Sequence, residues 1–369
     1  MIKSKLIQMS IFKNNIFYIF CLICLLFGIF FNYFFLFFFL GAIFFLIFKI
    51  TSKYFFFIIS IIFITFFFFE IFFQDEILKS DYLTKNNITY EVNNNYGYHP
   101  TKNQIFDEEI FYKKKLVKKN TYTIDKYGHR KINNRPKLKN CLIFHGGSIT
   151  FGQSLSDNET LPYLASQFYK EEFNTFNFAF NGYGPHQFLA KLDDLNQEEV
   201  KHCENVIIFY QFIYDHIART AGKRSWGDKS PRFILKNNKL ENKGFFSEFP
   251  FKIIMKLRKN FRHSKISNIL FNLESISQND KIIFLEIIKN IEIYAKKNFS
   301  NVEFIYLVWD KDMILDQELF SFFNSANSIY IDELNIDKNY LKNNIPGDNH
   351  PTKEFNLILI NEIKKKLKL

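Results

Sequence analysis

The sequence predicts an α/β domain: a parallel β-sheet flanked by helices and preceded by an N-terminal transmembrane helical region. Three observations carry this expectation. Residues 16–73 are almost wholly apolar, and the chain from Gln74 onward reads as an ordinary soluble protein. From residue 140, short apolar runs alternate with helix-length segments, the pattern of a parallel sheet with crossover helices. Within that stretch, Gly146-Gly147-Ser148 follows the apolar run Leu142-Ile143-Phe144 and precedes a helix-like segment. Paired glycines let the backbone bend sharply there, at a strand-to-helix turn.

The apolar block is too long for a signal peptide. It divides into three spans, at about 16–31, 34–48 and 54–73, with Asn32-Tyr33 as a tight turn. The first two are short against the ~20 helical residues a bilayer core needs, so one longer, tilted or re-entrant segment over 16–48 is the alternative. Lys3, Lys5 and Lys13 precede the first span, Lys49 and Lys53 lie between the second and third, and Asp75 and Glu76 follow the third. The positive-inside rule puts the N-terminus in the cytoplasm and everything after Phe73 outside. A single span before Lys49 would break that parity, which favours the hairpin. In a bacterium the protein is then multi-pass in the inner membrane with a periplasmic or otherwise extracytoplasmic domain.

Three regions follow: a transmembrane region at 1–76, a β-rich juxtamembrane spacer at 77–139, and the α/β domain at 140–369 with an insertion at 219–277. In the spacer, Thr121-Tyr122-Thr123-Ile124 alternates and Asp125-Lys126-Tyr127-Gly128 reads as a turn. In the domain, strands are expected at 141–145, 174–179, 205–212, 302–308 and 328–332. Helices are expected at 158–172, 186–199, 279–298 and 352–367. Residues 219–277 are irregular, either a solvated insertion with a small helix or a lid facing substrate. In open parallel sheets, ligands bind beyond the C-terminal strand ends; Ser148, Gly182 and Asp215 all fall there.

Composition narrows the function. The net charge is +11, mostly lysine, but Lys, Asn, Ile and Phe (50 residues) are inflated together. With no Arg-rich or RNP-like motif, this is compositional bias and not a nucleic-acid surface. Cys21 and Cys24 lie in the first span and read as apolar helix residues. Cys141 and Cys203 each precede an apolar strand, so adjacent strands would allow a disulfide in an oxidising compartment. The eight histidines include none with paired ligands at metal spacing, so neither metal nor cofactor is expected. His145, His186 and His216 lie near the expected site; His99, His129, His202 and His263 read as surface or structural.

A serine hydroxyl needs an adjacent base to act as a nucleophile. Histidine has the suitable pKa, and a carboxylate fixes its tautomer. Asp348-Asn349-His350-Pro351, just before the last helix, supplies both. Ser148, His350 and Asp348 are therefore the candidate triad.

These blocks resemble the SGNH (GDSL-type) hydrolase family, in particular its membrane-anchored bacterial members, over residues 140–369. Gly146-Gly147-Ser148-Ile149-Thr150-Phe151-Gly152 matches the first family block with Gly147 in place of Asp. Asn177-Phe178-Ala179-Phe180-Asn181-Gly182 resembles the second, and Asp348-Asn349-His350-Pro351 the last, with the carboxylate one residue closer to the histidine than is usual. The resemblance implies a flavodoxin-like three-layer sandwich. It makes Ser148 the nucleophile, His350 the base, Asp348 its partner, and the Ser148 and Gly182 N–H groups oxyanion donors. In the third block only Asp215 of Phe212-Ile213-Tyr214-Asp215-His216 matches. Tyr214 stands where the family places an oxyanion-donating Asn; Gln211 and His216 are substitutes. Arg219, one helical turn from Asp215, is either a structural ion pair or a contact for an anionic substrate group.

The implied function is a membrane-anchored serine esterase acting on O-acylated envelope glycans or lipids, with the bilayer as partner and no nucleic acid. The alternatives are an O-acyltransferase using the same triad and a catalytically silent member that binds glycan or an assembly partner. The departures at Gly147, Ala179 and Tyr214 motivate the last.

Overall fold

The computed structural model describes residues 33–74, 82–134, 138–192, 199–224, 226–261, 275–309, 311, 317–334, 348 and 350–367. The chain forms two compact units, one from 1–79 with 250–274 and one from 80–249 with 275–369. The expected span at 16–31, with Cys21, Cys24, Asn32 and the lysines before it, lies outside the described residues. So do Asp75, Glu76 and His263.

The first unit contains two apolar helices, α1 (Tyr33–Thr51) and α2 (Tyr54–Gln74), of 19 and 21 residues. Ser52 and Lys53 turn the chain between them, so the helices run antiparallel. The close approach is at Gly41: the Ser60 hydroxyl donates to its carbonyl at 2.8 Å. A Cβ on Gly41 would lie 2.7 Å from an Ile64 side-chain carbon. Phe44 and Phe63 stack above it at 5.6 Å. Side chains are described over 40–51 and 54–68; among the described residues, no helix is long and apolar enough to cross a membrane.

The second unit is built on a five-stranded parallel sheet. Its strands are β6 (Asn140–His145), β7 (Asn174–Asn177), β8 (Asn205–Phe212), β11 (Asn301–Val308) and β12 (Ser328–Tyr330), in spatial order β12-β11-β8-β6-β7. In chain order this is 2-1-3-4-5, the flavodoxin-like arrangement, whose switch point falls between the first and third strands. Here those strands are β6 and β8.

Alternation along the strands makes three layers. Cys141 and Ile143 of β6, with Ile208 and Tyr210 of β8, face one core, covered by α5 (Pro185–Leu192), α8 (Gln278–Asn298) and α9 (Gln317–Ser325). Leu142 and Phe144 face the other, covered by α4 (Leu161–Phe168) and α10 (Lys353–Leu367) through Leu161, Phe355, Leu359 and Ile363. Cys141 and Cys203, at the starts of adjacent β6 and β8, form a disulfide.

The residues before β6 do not stand apart from this sheet. β1 (Tyr82–Asn86), β4 (Ile105–Tyr112) and β5 (Lys115–Thr123) form an antiparallel sheet, and β2 (Tyr90–Asn93) pairs with β3 (Gly97–Pro100). Arg130 fastens them to the domain. Its buried guanidinium donates to the Gly152 carbonyl at 2.6 Å and to Asp157 at 2.9 Å, and lies 4.2 Å from the Tyr122 ring centre. Burying a guanidinium is costly unless its donors are satisfied, and here they hold the loop after the Gly147-Ser148 turn.

The region expected to be irregular contains a hairpin, β9 (Pro231–Lys236) and β10 (Lys239–Phe245), turned at Asn237-Asn238 with φ of +51° and +58°. The helix Phe251–Phe261, α7, belongs to the first unit.

Candidate active site

β6 ends at His145, and the chain turns through Gly146 and Gly147 into a one-turn helix, α3 (Ser148–Phe151). Ser148 is its first residue, so its N–H belongs to the turn whose donors have no intrahelical acceptor. The loop after β7 carries Gly182, with φ of +79°; a Cβ there would sit 2.8 Å from the Tyr98 hydroxyl. Only glycine fits that position. The Tyr98 hydroxyl also donates to the Asn181 carbonyl at 3.0 Å, fixing the loop.

Asp348, His350 and Ser148 form one hydrogen-bonded chain. The buried Asp348 carboxylate lies 2.6 Å, Oδ1 to Nδ1, from His350, and His350 Nε2 lies 2.8 Å from Ser148 Oγ. A carboxylate only accepts, so Nδ1 carries the ring proton and Nε2 is left to accept from the serine hydroxyl. That is the tautomer a general base requires. Ser148 and His350 are 202 residues apart; β6 and the start of α10 bring them to one sheet end.

A cavity of about 450 Å³ opens over the serine, with Ser148, Gly182, Arg219, Trp226, Tyr98 and Asp228 among its lining. Tyr98, with Asn86 and Tyr90, comes from the strands before residue 139, and Trp226 from the insertion. Tyr82 of β1, beside Asp348 and not in that lining, is a neighbour of the triad that sequence reasoning did not find. Burial raises the pKa of its phenol, the Ser154 hydrogen bond lowers it, and the neighbouring Asp348 charge raises it again. No local motif marks Tyr82 or Tyr98; their roles come from tertiary placement.

The third-block residues are placed differently from the sequence expectation. Tyr214 packs against the core and is not among the residues lining the cavity. Gln211 is buried and accepts from the Thr150 hydroxyl. Asp215 also lies off the cavity wall: its two oxygens pair with Arg219 Nε at 2.8 Å and Arg224 Nε at 2.5 Å. Arg219 does line the cavity, and also donates to the Tyr183 carbonyl at 2.8 Å.

Below it, His145, His186 and His216 are fully buried. Burial lowers all three pKa values, His186 to about 3, and the Arg219 charge adds to the lowering at His186 and His216. They are neutral at pH 7. His216 Nδ1 pairs with the Tyr210 hydroxyl at 2.7 Å. His99 and His129, expected as surface or structural residues, are also buried.

Among the described residues two groups bring three possible metal ligands together: Cys141, His202 and Cys203, and Asp125, His129 and Glu199. The cysteines are consumed in the disulfide. His129 Nδ1 faces Glu199 at 2.9 Å and its Nε2 faces the Lys191 ammonium.

No protein-family model matches this sequence, and no curated protein matches it. Solved structures similar to the chain include proteins described as a carbohydrate esterase and as GDSL-type lipolytic proteins. One is a carbohydrate esterase whose active site displays divergent catalytic and non-catalytic binding functions; it is 11% identical, with 78% of this chain and 97% of that one covered, at a TM-score of 0.35. Another is a member of the lipolytic G-D-S-L family from Veillonella parvula, 13% identical, covering 61% and 97%, at 0.27. A third is a GDSL-like lipase from Bacteroides ovatus, 15% identical, covering 78% and 84%, also at 0.27. At these scores the likeness assigns no activity to this chain, whose functional reading rests on its own geometry.

Proposed function

We propose that this protein is an ester hydrolase working through an acyl-enzyme on Ser148. The observation that carries the reading is the continuous Asp348–His350–Ser148 chain, 2.6 Å and 2.8 Å, whose serine lines a cavity. Ser148 Oγ attacks the ester carbonyl carbon while His350 Nε2 takes its proton. The carbonyl oxygen becomes an oxyanion between the Ser148 and Gly182 N–H groups. As the tetrahedral intermediate collapses, His350 returns the proton to the departing alkoxide. Water then attacks the acyl-serine by the same route, releasing the acid and restoring the hydroxyl. A sugar hydroxyl in place of water makes the same site an O-acyltransferase.

An O-acylated glycan fits the cavity chemistry. Trp226 and Tyr98 offer aromatic faces for a sugar ring, and Asn86, Gln153 and Asp228 offer partners for its hydroxyls. The apolar stretch 16–73 and its flanking lysines support anchoring in a bacterial inner membrane. The Cys141–Cys203 disulfide supports an extracytoplasmic site, because such bonds persist in oxidising compartments.

The test is hydrolysis of p-nitrophenyl acetate by the full chain in detergent, beside Ser148→Ala and His350→Ala. Activity lost in both variants supports the reading. Activity equal to that of Ser148→Ala in a folded wild-type protein rejects it. Product analysis with a glycan acceptor then separates hydrolysis from transfer.

A further inference from the structure

We propose that the Arg219 guanidinium is a catalytic oxyanion donor, completing the hole begun by the Ser148 and Gly182 N–H groups. This rests on the ester-hydrolase reading and assigns a further residue to that site. Arg219 shares the cavity wall with both backbone donors. It stands against the residue before the nucleophile: a Cβ on Gly147 would lie 2.6 Å from Nη1. Any side chain at 147 would displace the guanidinium, which explains the glycine there.

The group is held before substrate arrives. Asp215 takes Nε and the Tyr183 carbonyl takes Nη1. Tyr183 follows Gly182 directly, so one loop aims both donors. A guanidinium has five N–H groups. Two are used in this way, and among the described residues Nη2 has no hydrogen-bond partner. Charge favours the same role. A guanidinium is cationic, and the histidines beneath it are neutral. A fixed cation aimed at developing negative charge acts without reorganisation.

The experiment uses the full chain and p-nitrophenyl acetate, a neutral ester, so that anion recognition makes no contribution. Arg219→Ala is expected to lose roughly 100- to 1,000-fold in kcat with KM within about threefold. Added methylguanidine should restore part of the loss, a rescue that a merely structural ion pair would not show. Gly147→Ala should push the guanidinium aside and lose about tenfold or more in kcat, with Tm measured beside it to separate displacement from misfolding. If wild type is active and both Arg219→Ala and Gly147→Ala keep kcat within about threefold, the inference is overturned and the hydrolase reading stands. A defect confined to anionic esters overturns it in favour of substrate recognition. If wild type is no better than Ser148→Ala, the hydrolase reading fails and takes this role with it.

Discussion

Replacing Asp348 by Asn keeps the shape of the triad and removes its charge. In the transition state His350 becomes an imidazolium, and the carboxylate 2.6 Å away opposes that charge. Asp348 is nearly buried and His350 only partly exposed, so an effective dielectric near 20 is appropriate. Coulomb's law then gives about 4 kcal/mol for a 4 Å charge separation and about 6 kcal/mol at the N–O contact. That range is roughly 10³-fold to a few times 10⁴-fold in kcat. The amide also allows its NH₂ to donate to Nδ1, which moves the ring proton to Nε2 and leaves no base for the serine. The assay is kcat on p-nitrophenyl acetate together with the labelling rate of Ser148 by a fluorophosphonate. Both should fall together, with Tm changed little. An Asp348→Asn protein that keeps more than a tenth of wild-type kcat would refute the argument that this carboxylate carries the imidazolium.

Other outcomes follow from the same structure. Tyr82→Phe removes one neighbour of Asp348 and should cost about 3- to 10-fold in kcat with KM unchanged, the worth of one hydrogen bond. Reducing the disulfide, which closes a sequence separation of 62, should cost about 4 kcal/mol by loop entropy, read as a lower urea midpoint. Activity of the protein that stays folded should persist, because the bond lies at the strand starts and Ser148 at the strand ends. The buried histidines make stability fall in acid. Their folded pKa values lie below the unfolded value of 6.5, so the unfolded chain binds more protons below that pH. The contribution is complete above pH 6.5 and is lost as pH falls, for His186 down to about 3. The slope is about 1.4 kcal/mol per pH unit for each histidine. Urea midpoints at pH 7.5 and 5.5 measure it, and equal midpoints would contradict neutral burial.

The sheet was legible because its strands are apolar runs covered on both faces: the expected 141–145 and 205–212 match Asn140–His145 and Asn205–Phe212 closely. The helix expected at 158–172 is shorter, Leu161–Phe168, after a 3₁₀ turn capped by Ser156. The hairpin in 219–277 went unread although Asn237-Asn238 marks it. Two successive residues at positive φ make the two-residue turn that joins strands, and asparagine tolerates that region. In the site, Ser148, His350 and Asp348 announce themselves by residue type and order. Arg219 was placed in the right neighbourhood, but its approach to Gly147 depends on where α6 (Asp215–Thr220) sits against the turn, which no local pattern encodes.

The clasp of Arg130 on the nucleophile loop bears on how this protein can be cut. Excision at residue 140, where the sheet begins, would leave a fragment with every triad residue and a complete parallel sheet. It would lack Arg130, and with it the donors to the Phe151, Gly152 and Leu155 carbonyls. It would also lack Tyr98, which ties down the Gly182 loop, and Tyr82 beside Asp348. Such a fragment keeps the reacting groups but loses the braces that hold them in place. The smallest unit that can be exchanged between proteins with its chemistry intact therefore begins before Tyr82.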